Sequence, residues 1–369
     1  MKNVKHLLGA IAAFAALGGS GVLAGAAQAE WVDLGGDLAP GNVDCLSWGE
    51  GRLDCFGRND AGDVEHKWYD RAVGWGEWET LGGSGLDLRG RPECVSWGEQ
   101  RLDCFFVGGP DGNRLVHLYY NGEGFDWRIA ARGLASDADC VAQAPDRLDC
   151  FWVSEGERLR QYTYRADTSS SEQNVGGRRL VRKPDRGGPH LERTPECEAL
   201  GNGRIDCVLH TYENDVRTLR YNGERWRVSS SARYAATGTP ECVSWGDERM
   251  DCFSFDADVE TLRHGWLSGR EWRSETLGQP FKSAPECVSW SEGRLDCFAM
   301  SEDRNLAHIW YDNGWGNEVI PAPFGPGMFT HIDCVSWGEG RIDCFAVGEQ
   351  GQLIQKWYGG NGWQPASEG

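Results

Sequence analysis

Cys94-Val95-Ser96-Trp97-Gly98-Glu99-Gln100-Arg101-Leu102-Asp103-Cys104-Phe105 is the stretch on which the fold turns. Apolar and polar residues alternate on either side of a short glycine-containing turn, which is the pattern of a β-hairpin. A three-residue loop at Gly98 to Gln100 would pair Trp97 with Arg101. It would also set Cys94 directly opposite Cys104, within disulfide reach. The stretch recurs, so the 14 cysteines fall into seven pairs of one spacing: Cys45 and Cys55, Cys94 and Cys104, Cys140 and Cys150, Cys197 and Cys207, Cys242 and Cys252, Cys287 and Cys297, Cys334 and Cys344. Zinc sites bring two ligands within two to four residues, a spacing absent here, so the pairs read as disulfides and no metal site is expected.

Working outward, a third strand follows each hairpin. It is Val64-Glu65-His66-Lys67-Trp68-Tyr69 in the first copy and recurs at 115–120, 262–267, 306–311 and 353–358. Alternation puts His66 and Trp68 on one face and Lys67 and Tyr69 on the other. A fourth strand, Gly74 to Leu81, completes the unit. Units start near 45, 94, 140, 197, 242, 287 and 334. A period of about 48 residues with four short strands is the signature of a propeller blade. The expected fold is therefore all-β, a seven-bladed β-propeller with four-stranded blades.

The seventh unit stops after Gly362-Trp363, and its missing Glu-Trp-x-x-Leu-Gly-Gly strand stands near the other end as Glu30-Trp31-Val32-Asp33-Leu34-Gly35-Gly36. Pairing the two removes two open sheet edges, so the N-terminal strand should close the ring. Residues 30–369 then form one domain. Blades three and four drift from the pattern, with Tyr162-Thr163-Tyr164 and Leu219-Arg220-Tyr221 at the third-strand station. Blade three also carries an insertion at about 167–193, rich in Arg and Lys, read as a long exposed loop.

Residues 1–29 read as a secretory leader. Lys2 and Lys5 precede an apolar run, and Ala27-Gln28-Ala29 is a small-residue cleavage site. The protein is expected to be secreted or periplasmic, with no membrane insertion, and disulfides suit that compartment. The formal charge is −19, and losing the two lysines makes it more negative. Such acidity opposes phosphate backbones, so no nucleic-acid partner is expected.

Enzyme chemistry finds little support. Asp54, Asp103, Asp149, Asp206, Asp251, Asp296 and Asp343 each sit in Arg-x-Asp, two residues apart on one strand face, where the pair neutralises itself. A catalytic acid has no reason to occur seven times. His66, His117, His264 and His308 occupy equivalent stations and should each order their own blade through a ring N–H. No serine-nucleophile elbow occurs. Asp60-Ala61-Gly62-Asp63 and Asp111-Gly112-Asn113 read as turns, with weak calcium binding the alternative. No catalytic residue and no cofactor is assigned.

An excess of aromatics remains, with 18 Trp, many at one station per blade. Indole faces suit the C–H faces of sugar rings, but large aromatics also fill the wedge between blades. The hairpin tryptophans Trp48, Trp97, Trp245 and Trp337 in Ser-Trp-Gly, and Trp290 in Ser-Trp-Ser, are read as packing. The candidate carbohydrate contacts are Trp68, Tyr69, Trp75, Trp78, Trp266, Trp272, Trp310, Tyr311, Trp315, Trp357, Tyr358 and Trp363.

The unit Cys-Val-Ser-Trp-Gly-x-x-Arg-Leu-Asp-Cys-Phe, then Leu-x-His-x-Trp-Tyr-x-x-Gly-Trp and Trp-Glu-x-Leu-Gly-Gly, resembles the repeat of the seven-bladed propeller lectins of the Photorhabdus type. The resemblance covers nearly the whole chain after the leader. It implies a non-enzymatic, multivalent lectin with sites between blades for fucose or O-methylated sugars, and glycans or glycoconjugates as partners. Homo-oligomerisation stays open. This chain departs from the family in its hairpin cysteines. A protein-binding propeller scaffold is the alternative, and a glycoside hydrolase a further one.

Overall fold

A computed structural model describes residues 31–144, 146–167, 169–175, 194–210, 216–228, 240–246, 249–256, 261–268, 271–278, 281–322, 331–360 and 362–364. The leader and the basic part of the insertion, residues 176–193, lie outside them. Seven antiparallel sheets follow one another along the chain. Blade one is Val43–Leu46, Arg52–Arg58, Val64–Asp70, then Gly74–Trp75 with Glu79–Gly82. Blade two is Arg89–Val95, Leu102–Gly108, Arg114–Tyr120 and Phe125–Arg132. Blade three is Leu134–Ala144, Arg147–Ser154, Leu159–Arg165 and Ser170–Val175. Blade four is Glu196–Ala199, Arg204–His210, Val216–Asn222 and Trp226–Val228.

Blade five is Glu241–Gly246, Arg249–Asp256, Thr261–Ser268 and Glu271–Leu277. Blade six is Glu286–Val288, Arg294–Met300, Leu306–Asp312 and Trp315–Ile320. Blade seven is Asp333–Gly338, Arg341–Val347 and Leu353–Gly359, with Trp363–Gln364 and Val32–Asp33 sharing its outer edge. First strands of neighbouring blades touch in unbroken cyclic order, blade seven against blade one included. The ring is thus closed around an axis lined by first strands.

The expected closure is present. Val32 pairs with Gln355 and Asp33 with Ile354, and Leu34 N–H donates to Leu353 O at 2.8 Å. All seven hairpins set their cysteines directly opposite one another, and all seven disulfides form. The apolar core is divided into seven clusters, each filled from the facing sides of two adjacent blades. Blade packing, rather than one central core, holds the molecule together.

Three expectations need correction. Trp97 does not pair with Arg101. The first strand of blade two ends at Val95, and where the ladder runs further, Gly246 faces Arg249 and Gly338 faces Arg341 after a register shift. The extra residue is a bulge at Ser-Trp, and a bulge re-aims a side chain. The fourth strand of blade one is not continuous but splits at 76–78. Finally, the stretch assigned to the start of the inserted loop is regular: Ser170–Val175 is the fourth strand of blade three, paired with Leu159–Tyr164. Its polar, serine-rich composition suits an exposed outer edge.

Candidate functional sites between the blades

The tip of each second strand carries Arg-x-Asp, and the structure shows what the pair does. Arg52, Arg147, Arg204, Arg249, Arg294 and Arg341 each bond the aspartate two residues on, and every one of those aspartates is fully buried. The third strand brings the next partner. His66 Nε2 lies 2.9 Å from Asp54, His117 2.7 Å from Asp103, His264 2.8 Å from Asp251 and His308 2.9 Å from Asp296. Each histidine therefore orders its own blade, as expected.

The fourth strand adds a residue with no counterpart among the expected contacts. Cross-strand register sets His66 opposite Glu79, His264 opposite Glu275 and His308 opposite Glu318. Nδ1 of His264 and His308 meets the glutamate at 3.0 and 2.9 Å, and the His66–Glu79 distance is 3.7 Å. These carboxylates are 41–48% exposed and face the groove toward the next blade. The neighbouring blade closes the set in two grooves. Trp315 N–H donates to Glu275 at 3.0 Å and Trp363 N–H to Glu318 at 2.8 Å. Phe125 takes that place beside His66, with ring centroids 5.1 Å apart.

Charge follows these contacts. The bond from His308 pulls the Glu318 carboxyl below its ordinary value against the effect of burial, and the Trp363 N–H assists. Burial works to lower the His66 imidazole, but Asp54 and Glu79 outweigh it and hold it above its ordinary value. His117 goes the other way: burial, with Arg128 and Arg101 close by, outweighs Asp103 and lowers it.

Aromatic walls flank the polar set. Trp68 and Trp310 lie close over the backbone at Gly76 and Gly316, where a Cβ would come within 2.5 and 2.4 Å of indole carbons. The Arg52 guanidinium sits 5.4 Å from the Trp48 ring centre and 4.8 Å from that of Trp68. Arg249 is placed likewise between Trp245 and Trp266, at 5.0 and 5.5 Å. In the groove between blades one and two these groups enclose about 720 Å³, with Tyr120, Glu123 and Phe125 opposite. That is the size of a small-ligand pocket.

The expected contacts distribute over several grooves. Trp68 lies between blades one and two. Trp266, Tyr311 and Trp315 meet between five and six, and Trp310, Tyr358 and Trp363 between six and seven. Tyr69, Trp75 and Trp357 share the groove between seven and one, where Gln355 replaces the histidine and accepts the Trp75 N–H. Trp272 faces blade four and donates to Thr218 Oγ1 at 2.8 Å. Trp78 stands apart, its N–H on Leu34 O at 3.0 Å, packed on the closing strand. The hairpin tryptophans read as packing do pack on the cores between blades: Trp97 is buried in one, and Trp48, Trp245, Trp290 and Trp337 are half-buried against theirs, Trp48 also lining the groove between blades one and two.

A second repeated site was missed. The residue before the first cysteine of each pair is acidic in all seven copies: Asp44, Glu93, Asp139, Glu196, Glu241, Glu286 and Asp333. Cys45 N–H donates to Asp333, Cys94 N–H to Asp44 and Cys197 N–H to Asp139, at 2.6–2.7 Å, so these acids link neighbouring first strands around the axis. Four of them, Glu93, Asp139, Glu196 and Glu241, wall a cavity of about 400 Å³ together with Glu198. Burial raises the Asp44 carboxyl to about 6, Asp139 to about 7 and Glu241 to about 8. Arg91 supplies positive charge to this axis, 3.7 Å from Glu286. Glu286, His331 and Asp333 bring one ligand atom each within 4.8 Å of one another, with that guanidinium already beside them.

A closed seven-bladed ring with an aromatic and polar groove between successive blades defines a β-propeller with repeated inter-blade sites. No protein-family model and no curated protein sequence matches the chain. Solved structures do share its fold. The BP39L lectin of Burkholderia pseudomallei is similar at TM-score 0.70 and 17% identity, over 89% of this chain and 99% of its own. The fucose-binding lectin of Aleuria aurantia, a six-bladed propeller, is similar at 0.53 and 15%, over 78% and 97%. AofleA from Arthrobotrys oligospora gives 0.54 and 11%, over 79% and 90%.

Proposed function

We propose that the protein is an exported, non-enzymatic lectin that binds fucose-type or O-methylated sugars in the grooves between blades one and two, five and six, and six and seven. The observation that carries this is the threefold recurrence of one set: a half-exposed glutamate on a histidine, a guanidinium beside it, and an indole face. A sugar needs hydrogen-bond acceptors and donors for its hydroxyls and an apolar wall for its ring, and this set offers all three. The structural neighbours support the reading. The Aleuria aurantia lectin is solved with α-methyl-L-fucoside and the SapL1 lectin with α-methyl fucoside. Glu275 and Glu318 are held in place by their histidines, so each acts as an acceptor already oriented before a ligand arrives, and Glu79 lies 3.7 Å from His66.

Three shallow sites on one rigid ring gain avidity on a glycan-dense surface, by about 10²–10⁴ over a single site where geometry allows simultaneous contact. The test is a glycan array followed by calorimetry with α-methyl-L-fucoside. Binding at about three sites is expected, falling to about one in the Glu275→Gln, Glu318→Gln double variant. A protein that binds no glycan on the array, or whose stoichiometry ignores that double variant, would overturn the proposal.

A further inference from the structure

The groove between blades two and three is built on the same frame with its charge inverted. His117 pairs across strands with Arg128, so a guanidinium occupies the register position of Glu79, Glu275 and Glu318. Arg128 Nε donates to His117 Nδ1 at 2.9 Å, leaving the Nε2–H of the neutral ring for Asp103. Its guanidinium lies 3.8 Å from the Tyr164 ring centre and 5.3 Å from that of Tyr119. Arg101 adds a second cation. The other six arginines of the Arg-x-Asp pairs bond their aspartates. Arg101 instead lies 4.3 Å over Trp97, and Asp103 takes the Trp97 N–H.

The acids facing this groove are already engaged. Asp103 is buried against His117 and Trp97, Asp126 accepts from Tyr119 Oη at 3.1 Å, and Glu172 pairs with Arg160. Among the described residues, guanidinium nitrogens are left over: Arg101 Nε and Arg128 Nη2, and Arg160 Nε beside Glu172, are buried and have no hydrogen-bond partner. Unpaired buried donors on a charge are costly, and a bound anion is what relieves them. We propose that this groove is an anion subsite that takes the carboxylate of an acidic saccharide. The carboxylate would bridge Arg101 and Arg128 in their fork geometry, and the half-buried Tyr119 would flank the sugar ring. The inference rests on the reading of the grooves as sugar sites and extends it to a second ligand class on the same ring.

Calorimetry on the whole protein with D-glucuronate, N-acetylneuraminate, D-glucose and acetate tests it. At least one acidic sugar is expected to bind about tenfold or more tighter than glucose and acetate, and to weaken as salt rises. Arg128→Gln should abolish that binding while α-methyl-L-fucoside still titrates as in the parent. Arg128→Glu, which installs the residue three other blades carry here, should do the same. Acetate binding as tightly as the sugars, no binding of either acidic sugar, or binding indifferent to both variants would overturn the subsite. Loss of fucoside binding with acidic-sugar binding intact would instead count against the neutral-sugar proposal alone.

Discussion

Asp296 shows how one residue ties blade to site. It is fully buried, takes two bonds from Arg294 and a third from His308, and His308 in turn holds Glu318 at the groove. A buried carboxylate is tolerable only because its partners satisfy it, and its removal strands a guanidinium and an imidazole. Asp296→Ala should therefore cost about 3–5 kcal/mol, the range for breaking one side of a buried pair, read by urea denaturation. A loss under about 1 kcal/mol, the scale of a surface pair, would show that the ladder is not a buried one. The Arg-x-Asp half of this ladder was legible in the sequence because residues two apart share a strand face. Glu275 and Glu318 were not, since their partner histidines are 11 and 10 residues away and meet them only through cross-strand register. The axial acids were legible and overlooked: an Asp or Glu precedes the first cysteine in every copy.

At the scale of the element, the hairpin is the unit that repetition specifies best. Opposed cysteines, alternation and a glycine turn all point to one geometry, and agreement between levels is what makes a segment predictable. Its bulge was hidden because one inserted residue leaves the alternation of the flanking strands intact. The consequence is local: the bulge turns Trp245 and Trp337 so that their N–H groups reach Asp251 and Asp343 at 2.7 and 2.8 Å while their half-buried rings pack against the inter-blade cores. The disulfide sits at the root of the same hairpin and outside the groove chemistry. The Cys287→Ala, Cys297→Ala pair should thus lower stability by about 2–3 kcal/mol, the chain-entropy value for so small a loop. Fucoside affinity should stay within about twofold of the parent, since no binding group is touched. Denaturation and calorimetry on the same sample check both, and a variant that keeps its stability but loses the sugar would place the bridge in the site itself.

For the molecule as a whole, closure concentrates charge. Seven first strands meet at the axis, and each brings one acid there. Arg91, from blade two, is the cation drawn to this cluster: burial works to lower its guanidinium, but Glu286, Asp44, Glu93 and Asp333 outweigh it and hold its proton more firmly. Burial is the largest influence on every one of the seven carboxyls, and all seven are raised: Asp44 to about 6, Asp139 to about 7, Glu241 to about 8, and Glu93, Glu196, Glu286 and Asp333 well above their ordinary values. A carboxyl raised in the folded state binds more protons there than in the unfolded chain. Its contribution to stability is then full below the ordinary carboxylate range and is lost as pH rises through the folded value. His117 and His331, which burial lowers, act in the opposite sense only up to their ordinary value of 6.5. Between pH 6.5 and 8.5 the axial acids and His66, which is held above its ordinary value and loses its contribution in the same sense, therefore set the slope, and the melting temperature should fall. A drop of about 3 °C or more is expected, as roughly 1 kcal/mol moves Tm by 2–4 °C in a large domain. Glu241→Gln, which has no proton to lose at that station, should show a shallower fall. Calorimetric scans across this window at fixed ionic strength decide it. A flat or rising melting temperature in the parent would mean that the ring carries its axial carboxylates ionised at neutral pH.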